Sequence, residues 1–533
     1  MRLFFKRCIG LLFITLLFYL SSEAQKKERI QYQADTLKNG RNERGRYRKL
    51  ISHVIFKQQG TTVYCDSSYF YSRENMMEAY GHVKIVDDSA IVTSRTLTYD
   101  GNTRIAKLRN NVVYTNGTRT LYTNFLDYDL GDKVAAFFEK GKLVDVENTL
   151  NSKRGFYYEQ TEKVFFYDKV ELINEQYTLF ADTLEYLTPT KIAYTYGPTR
   201  IVNKDSSVLN SIGGEYFTII KQESFQKGRI TTEDYFLDAD RLFFDDLNGI
   251  YRAIGNVKMT ARHEHTWILG NEGHYNNELG LTKVWGNAIM KKLMNDEDTF
   301  FLSADTLVSI ESVIDTEDRI LAYNDVKLFK TNLQGKSDSA SYVVIDSLIN
   351  FYSDPVLWNE GNQMESDTID VQLVSNLIDR MYLKQNAFVI SQDTLRNFNQ
   401  VKGRDMLAKF DGKQIISIDV TGNGESNYFY LLEDLTDIMG LNHILCSDLI
   451  LRFVEGELNN ISFYTKPDAT FIPTHELLDD KKTLDGFSWR DNERPSLGDV
   501  VYYYRKDDES KKLDAFPIKQ DRQFELLEVK SSE

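Results

Sequence analysis

A motif of the form Ala-Asp-Thr-Leu-x-Tyr recurs along the whole chain and constrains the fold more than any other feature. Versions of it stand at 32–40 (YQADTLKNG), 179–186 (LFADTLEY), 236–244 (FLDADRLFF) and 301–309 (FLSADTLVS). Such segments repeat about every 30 residues, the signature of an array of similar structural units. Aligned on the motif's second residue, the series is Asp35, Asp66, Arg95, Asn124, Arg154, Asp182, Glu215, Asp240, Glu272, Asp305, Asp338, Asp367, Asp405 and Asp448.

A second marker lies between these motifs and shares their period. It is a Gly, Asn or Asp followed by an alternating apolar run, as in YGHVKI (80–85), IGNVKM (254–259) and YNDVKL (323–328). Small polar residues before a β-branched alternating run are typical of a turn that leads into a strand. We therefore interpret each unit as two short strands and one longer strand, joined by turns.

Composition and alternation both favour strands over helices. The chain has 32 Tyr and 32 Phe but only 7 Pro, and aromatic and β-branched residues are enriched in strands. The best helix candidate is the short stretch 431–439 (LLEDLTDIM). A unit of this size cannot bury its own apolar face, so the units must stack. The sequence predicts an all-β fold, an elongated array of stacked repeats.

The N-terminus predicts export. Residues 1–25 (MRLFFKRCIGLLFITLLFYLSSEAQ) combine a basic start with an apolar run from Cys8 to Leu20. That run is shorter than the ~20 residues a membrane-spanning helix needs. Ser22-Glu23-Ala24 then offers a small-x-small cleavage site. We expect residues 1–24 to be a cleaved signal peptide, residues 25–469 the repeat array, and residues 470–533 a C-terminal cap or partly disordered tail.

The net charge argues against some classes of partner, and the cysteine positions argue against a disulfide. Removing residues 1–24 deletes three basic residues and one acidic residue, so the net charge moves from −15 to −17 (−15 − 3 + 1). A chain this acidic is a poor candidate for nucleic acid, and any lipid partner must be held mainly by apolar contact. Cys65 and Cys446 lie about a dozen repeats apart, too far for a disulfide.

Two long stretches resemble the repeats of the OstA/LptA family. They are YGHVKIVDDSAIVTSRTLTYDGNTRIAKLRNNVVYTNG (80–117) and FLDADRLFFDDLNGIYRAIGNVKM (236–259). The resemblance extends over roughly 32–465 and is strongest at 78–190 and 230–345. It implies a β-jellyroll with two sheets in a V, stacked end to end around an apolar trough. This chain is far longer than a single LptA-like domain, and residues 470–533 are too few for the barrel of LptD proteins.

The same resemblance implies a function in lipid transport. Members of the family carry the acyl chains of lipopolysaccharide across the periplasm towards the outer membrane. For this chain it implies a periplasmic, non-enzymatic carrier that binds lipopolysaccharide or lipooligosaccharide without a cofactor. LptC-like and LptD-like proteins would be its partners, docked end to end by strand addition.

The inward positions of the alternating strands are the candidate lipid-binding residues. A lipid carrier needs a continuous apolar surface that shields acyl chains from water. Alternation alone does not separate an open trough from a sealed core, so a β-solenoid scaffold or surface-adhesion protein without a lipid ligand is the alternative. The candidates are Val83, Ile85, Leu97, Tyr99, Val112, Leu184, Tyr186, Leu242, Phe244, Val257, Met259, Leu307, Val326 and Leu328.

The recurrent Asp poses a separate question. Strict alternation puts Asp182 on the same face as Leu184 and Tyr186, and a carboxylate inside an apolar trough is costly. We therefore expect a β-bulge at this position, or a seam where the strand leaves the core. Dense glycine at nine-residue spacing, which a calcium-binding roll needs, is absent. Asp-Thr-Leu also resembles an O-glycosylation acceptor of some exported bacterial proteins.

No sequence motif nominates a catalytic centre. The zinc-protease, serine-hydrolase, phosphate-loop and dinucleotide-binding patterns are absent from the chain. His263 and His265 would share one face of a strand in ARHEHTW (261–267), but a third zinc ligand is not in evidence. The sequence predicts a binding protein and not an enzyme, with no metal and no cofactor.

Overall fold

The computed structural model describes residues 29–501, except 88–89, 264, 296–297, 311–317, 344, 376, 413, 433–436 and 456. The predicted signal peptide and residues 502–533 of the tail lie outside the described residues. The chain divides into two units, residues 1–225 and 226–533. Strands dominate both units, which confirms the predicted all-β class.

The first unit is a ladder of antiparallel strands in which each strand pairs with its neighbours in sequence. Both β1 and β2 pair with β3, and β10 and β11 together take the place of one bent strand between β9 and β12. The strands are β1 (Gln31–Gln33), β2 (Thr36–Asn42), β3 (Gly45–Gln58), β4 (Thr61–Tyr71), β5 (Met76–Asp87), β6 (Ala90–Asp100), β7 (Ile105–Asn116), β8 (Arg119–Asp129), β9 (Val134–Val144), β10 (Thr149–Ser152), β11 (Arg154–Tyr158), β12 (Lys163–Ile173), β13 (Tyr177–Leu187), β14 (Ile192–Asn203) and β15 (Val208–Phe217).

The second unit continues the same antiparallel pattern, and β16 (Gln222–Thr231) spans the boundary in sequence. Its last long strand pairs with both β32 and β33. The strands are β17 (Tyr235–Asp245), β18 (Ile250–Ala261), β19 (Thr266–Asn276), β20 (Leu281–Asn295), β21 (Asp298–Ile310), β22 (Arg319–Lys330), β23 (Leu333–Val343), β24 (Leu348–Tyr352), β25 (Val356–Asn359), β26 (Asn362–Glu365), β27 (Thr368–Val374), β28 (Leu377–Gln392), β29 (Phe398–Gly412), β30 (Ile415–Leu431), β31 (Ile438–Val454), β32 (Glu457–Tyr464) and β33 (Asp468–Pro473).

Each repeat contains two long strands, not the three that we predicted. The segments RIAKLRN and NVVYTN are two halves of the single strand β7, joined at Asn110 and Asn111. Both asparagines are left-handed, with φ of 66° and 52°, so they bend the strand without ending it. The helix candidate at 431–439 falls partly outside the described residues, and its ends belong to β30 and β31.

Helical structure in the described residues is confined to the C-terminal segment. It comprises 3-10 turns at Thr474–Glu476, Asp479–Lys481 and Asp491–Glu493 and one short helix, α1 (Leu497–Val501). No helix among the described residues has the length and apolar character needed to cross a membrane.

The C-terminal segment, residues 474–501, runs back along the second unit. It contacts β30, β29 and β26 in turn, and α1 contacts β21 and β22. We predicted a cap on the last edge or a partly disordered tail. Residues 474–501 follow the ladder from its last strands towards earlier ones, and the assignment of 470–533 as a cap or tail stays a prediction.

Candidate apolar groove

The recurrent motif marks the corner at which each long strand bends. In β13, Leu179 and Ala181 are buried, Asp182 is exposed, and the next buried residue is Leu184. The inward positions therefore shift by one residue at Asp182. The pairing register with β14 shifts between Ala181 and Thr183, which confirms the predicted bulge. The corner explains why an aspartate can recur beside inward-facing apolar residues.

The neighbouring strand bends at the same level through two left-handed residues. In β18 these are Gly255 and Asn256, with φ of 78° and 48°. Asn256 Nδ2 donates a hydrogen bond to Asp240 of β17 at 2.7 Å, so the motif aspartate contacts the bend beside it. A Cβ on Gly255 would lie 2.6 Å from Asp240 Oδ2, so a larger residue here would displace the aspartate side chain. The recurrent Asp is thus a corner residue and not a ligand-binding group.

The alignment of the motif needs correction at five repeats. Nine members of the series lie at a corner, whereas Arg154, Glu272, Asp405 and Asp448 lie one residue after it. In β15 the corner lies at Ile212, and Glu215 comes three residues after it. None of these repeats carries an Asp-Thr-Leu sequence, and Arg154, Glu215 and Glu272 are aligned partly by spacing.

The corner divides each ladder into two half-sheets. Half-sheet 1 holds the strand halves that include Thr61–Cys65 and Val83–Asp87 in unit 1 and Leu237 and Met259 in unit 2. Half-sheet 2 holds the other halves, such as Ser67–Tyr71. In unit 2 their inward side chains share one interior, since its core contains residues from both half-sheets, including Leu328 and Leu307. We call the edge opposite the corner the mouth.

In the part of the first unit from β3 to β9 the mouth is sealed by polar contacts between the half-sheets. Gln58 of half-sheet 1 accepts a hydrogen bond from the Tyr99 hydroxyl at 2.6 Å, and its Nε2 donates to the Gly101 carbonyl at 3.0 Å. Burial raises the pKa of Tyr99 to about 12, so its hydroxyl stays protonated. The inward residues behind this contact are fully buried, as Ile85 and Val92 show with 0% exposure.

A second sealing contact centres on Asp87, whose exposure is 3%. Asp87 accepts hydrogen bonds from the hydroxyls of Thr61 at 2.7 Å and Tyr128 at 3.3 Å, and forms an ion pair with Lys133. Tyr128 and Lys133 lie at the edge of half-sheet 2, so the carboxylate joins the two half-sheets. Tyr128 also donates to Glu159 at 2.8 Å. The inward apolar residues described in β4 to β8 are accordingly buried, with exposures of 7% or less.

In the second unit, strands β17 to β22 leave several inward apolar residues only partly buried. On half-sheet 1 a row of cross-strand neighbours runs along the ladder, and most of its members are only half buried. The row is Leu237, Met259, Ile268, Met290, Leu302 and Leu328. Nearer the corner, Val257 and Ala288 are buried. The interior here has a buried floor with partly exposed apolar residues above it, and we call it the candidate groove.

Half-sheet 2 contributes an aromatic row to the same groove. Phe244, Tyr251 and Tyr275 are direct neighbours on β17, β18 and β19, and all three are half buried. The rings of Phe244 and Tyr251 lie 5.8 Å apart, and those of Tyr251 and Tyr275 are stacked at 5.9 Å. Aromatic and thioether side chains are large and adaptable apolar surfaces, suited to contacts with flexible chains.

The fourteen candidate residues all occupy inward positions, but at two different depths. Three of them, Tyr186, Phe244 and Met259, are half buried. The other eleven are buried to 4% exposure or less: Val83, Ile85, Leu97, Tyr99, Val112, Leu184, Leu242, Val257, Leu307, Val326 and Leu328. Their contact with a lipid stays a prediction. Sequence reasoning missed Leu237, Tyr251, Ile268, Tyr275 and Met290, which the alternation around the corners would have found.

The described residues offer no metal site of three or more His, Cys, Asp or Glu side chains. His263 and His265 lie in the turn between β18 and β19 and are exposed, so the predicted strand face does not exist. Cys65 and Cys446 are free thiols, and burial raises the pKa of Cys65 to about 12. A thiol with such a pKa stays protonated and is a poor nucleophile.

Comparison with known proteins finds a similar family. Residues 26–182 and 170–240 match the family described as OstA-like protein. Over these residues the chain is OstA-like. A solved structure that it resembles is LptH, the LptA homologous periplasmic component of the conserved lipopolysaccharide transport device from Pseudomonas aeruginosa. The identity is 16% over 22% of this chain and 82% of LptH, with a TM-score of 0.20. No curated protein matches the chain.

Proposed function

We propose that this OstA-like protein is a periplasmic carrier of lipopolysaccharide or lipooligosaccharide that shields acyl chains in the groove of strands β17 to β22. The partly exposed apolar residues of this groove carry the proposal. An apolar residue left partly exposed at an inward position is a cost in water, and a bound acyl chain would remove that cost. Each methylene buried there would contribute about 0.8 kcal/mol.

The ladder edges support a role in a larger assembly. Beyond their pairing with β3, strands β1 and β2 have no further pairing partner among the described strands, and the same holds for β32 and β33 beyond β31. Unpaired edges are surfaces on which a partner can add a strand. We propose LptC-like and LptD-like proteins as the partners at these edges, docked end to end.

A second function is favoured by one observation, the sealed mouth of the first unit. Ile85 and Val92 have no accessible surface, so this stretch behaves as a closed core. A β-solenoid scaffold or adhesion protein would need such a core along its whole length. The two functions therefore differ in what the groove of the second unit does in the cell.

Photo-crosslinking in cells tests the proposal. A benzophenone-bearing amino acid at Phe244 or Tyr251 is expected to form lipopolysaccharide adducts, because both rings line the groove and are half buried. These positions tolerate a larger aromatic side chain, whereas Leu184 and Leu328 have exposures of 2% and 1% and would not. The adducts are detected as a mobility shift with an antibody against lipopolysaccharide.

Tyr323 of β22 is the matched control, because it is an aromatic residue on an outward position with 42% exposure. It is expected to give at most background labelling. Equal labelling at Tyr323, Phe244 and Tyr251 would mean that lipid contacts the surface without selectivity. A folded protein that gives no adduct at Phe244 and Tyr251 would favour the scaffold.

A further inference from the structure

The outer surface of half-sheet 1 in the second unit is covered by the C-terminal segment. Along β28, Ala387 and Val389 belong to the main core, whereas Phe388 and Ile390 belong to a separate cluster with Leu484. Alternation therefore places Phe388 and Ile390 on the outward side. Both are buried, with exposures of 6% and 0%, because the C-terminal segment lies over them.

Two buried glutamines of this surface bind the backbone of the C-terminal segment. Gln363 Nε2 donates to the Ser488 carbonyl at 2.7 Å, and its Oε1 accepts from the Arg490 N–H at 2.8 Å. The side-chain amide nitrogen and oxygen of Gln363 thus bind backbone groups of two residues that are two apart in sequence. Gln363 has 0% exposure, so these hydrogen bonds form away from water.

Gln400 repeats this arrangement two strands further along the ladder. Its Nε2 donates to the Lys482 carbonyl at 2.8 Å, and its Oε1 accepts from the Leu484 N–H at 2.8 Å. In both cases one side-chain amide binds a backbone carbonyl and the N–H two residues later. The segment between these points is not a continuous strand, because Lys482 has helical φ and ψ angles and a turn lies at 485–486. The two side-chain amides therefore recognise the backbone of this segment at two separate points.

Side-chain pockets add sequence selectivity to this backbone recognition. Phe398 contacts Phe487 and Trp489, with ring centroids 5.3 Å and 5.1 Å apart. Arg490 forms a two-pronged ion pair with Asp354, with both nitrogen–oxygen distances at 2.8 Å. Glu493 pairs with Lys336 at 2.7 Å. The preferred ligand has a leucine, two aromatic residues separated by one residue, an arginine and an acidic residue.

We infer that the outer surface of half-sheet 1 in the second unit is a binding site for a peptide segment, which residues 481–494 of the same chain occupy. The core of the ladder is built from inward residues that the peptide does not touch. The occupant is therefore exchangeable, and a partner protein can present a segment of the same pattern to this surface. This inference is independent of lipid binding.

Cleavage of the full chain tests whether the segment is a docked ligand. A site for a sequence-specific protease is inserted after Glu476, in the exposed turn that follows β33. After cleavage we expect the C-terminal fragment to co-elute with the ladder, and a labelled synthetic peptide of residues 477–501 to exchange with it. The double variant Gln363→Ala/Gln400→Ala is expected to release the fragment at least ten times faster, because four hydrogen bonds to backbone groups are lost.

Gln392→Ala is the matched control, because Gln392 lies on the same face of β28 but is exposed. It should leave the release rate unchanged. Immediate loss of the fragment from an intact ladder, or equal retention by the double variant, would overturn the inference. Loss of the ladder's circular dichroism signal after cleavage would also overturn it, because the segment would then be part of the fold.

The docked peptide is expected to bind more weakly as the pH rises. Glu365 lies beneath it, and burial raises the pKa of Glu365 to about 7 despite Arg490 at 3.7 Å, with Asp354 and Glu493 also nearby. A raised pKa in the docked state means that docking takes up a proton, so this stabilisation is lost as the pH rises through about 7. Arg490 and Lys336 lower the pKa of Glu493 to about 2, so that the Glu493 carboxylate gains a proton only in strong acid.

We therefore expect the fragment of the cleaved chain to be released about ten times faster at pH 8 than at pH 5.5. Fluorescence anisotropy of the labelled peptide measures the change. In Glu365→Gln the side chain has the same shape but no proton to lose, so the dependence should disappear. Persistence of the full dependence in this variant would show that another group is responsible.

Discussion

Met259→Asp is expected to weaken the binding of lipopolysaccharide by about 30- to 100-fold while leaving the protein folded. Met259 is half buried in the apolar row of half-sheet 1, between Leu237 and Ile268 on the adjacent strands. In the empty groove water can solvate the new carboxylate. A bound acyl chain would exclude that water, at a cost of about 2–3 kcal/mol. Fluorescence titration with labelled lipopolysaccharide measures the loss.

Thr260→Asp is the matched control, because it makes the same charge change at the next residue, on the outward side of β18. It should bind lipid as the parent does. Equal losses in both variants would indicate a general effect of charge on an acidic protein. Unchanged binding in Met259→Asp would remove this groove from the proposed function. A further comparison is Met259→Leu, which keeps an apolar side chain of similar volume and should bind normally.

The repeat and its inward face could be predicted from the sequence because both depend on local pattern. Alternation identified Val83 and Ile85 as inward residues, and both are buried. The same local pattern misled the count of strands, because a pair of left-handed residues such as Asn110 and Asn111 has the composition of a turn. Whether the hydrogen-bonded ladder continues through such a pair depends on the neighbouring strand.

The depth of the groove could not be predicted, because it depends on contacts between residues far apart in sequence. Asp87 seals the mouth by pairing with Lys133, which is 46 residues away. Gln363 binds the C-terminal segment across 125 residues. Neither aspartate nor glutamine differs in local pattern from the many exposed polar residues of the chain. A sequence therefore predicts which face is apolar but not whether that face is sealed.

Asp87→Ala is expected to lower the free energy of unfolding of the first unit by about 3 kcal/mol. The aspartate is almost fully buried and joins the half-sheets through Thr61, Tyr128 and Lys133. Its removal leaves the Lys133 ammonium, whose side chain is 22% exposed, without this carboxylate in a largely desolvated site. The hydroxyl of Thr61 loses its acceptor as well. Urea unfolding, with amide exchange of β5 to β8 as a local probe, measures the effect.

Two comparisons identify the cause of that loss. Asp132→Ala removes an exposed carboxylate next to Lys133, so its effect should stay below about 0.5 kcal/mol. The double variant Asp87→Leu/Lys133→Met removes both charges and replaces them with apolar groups, so it should lose less than the two single variants combined. Additive losses, or an Asp87→Ala variant as stable as Asp132→Ala, would contradict the sealing role. If the role holds, the closed interior of the first unit depends on a few polar contacts at its mouth. The accessibility of the groove of strands β17 to β22 would then depend on the residues at its edge as much as on those that line it.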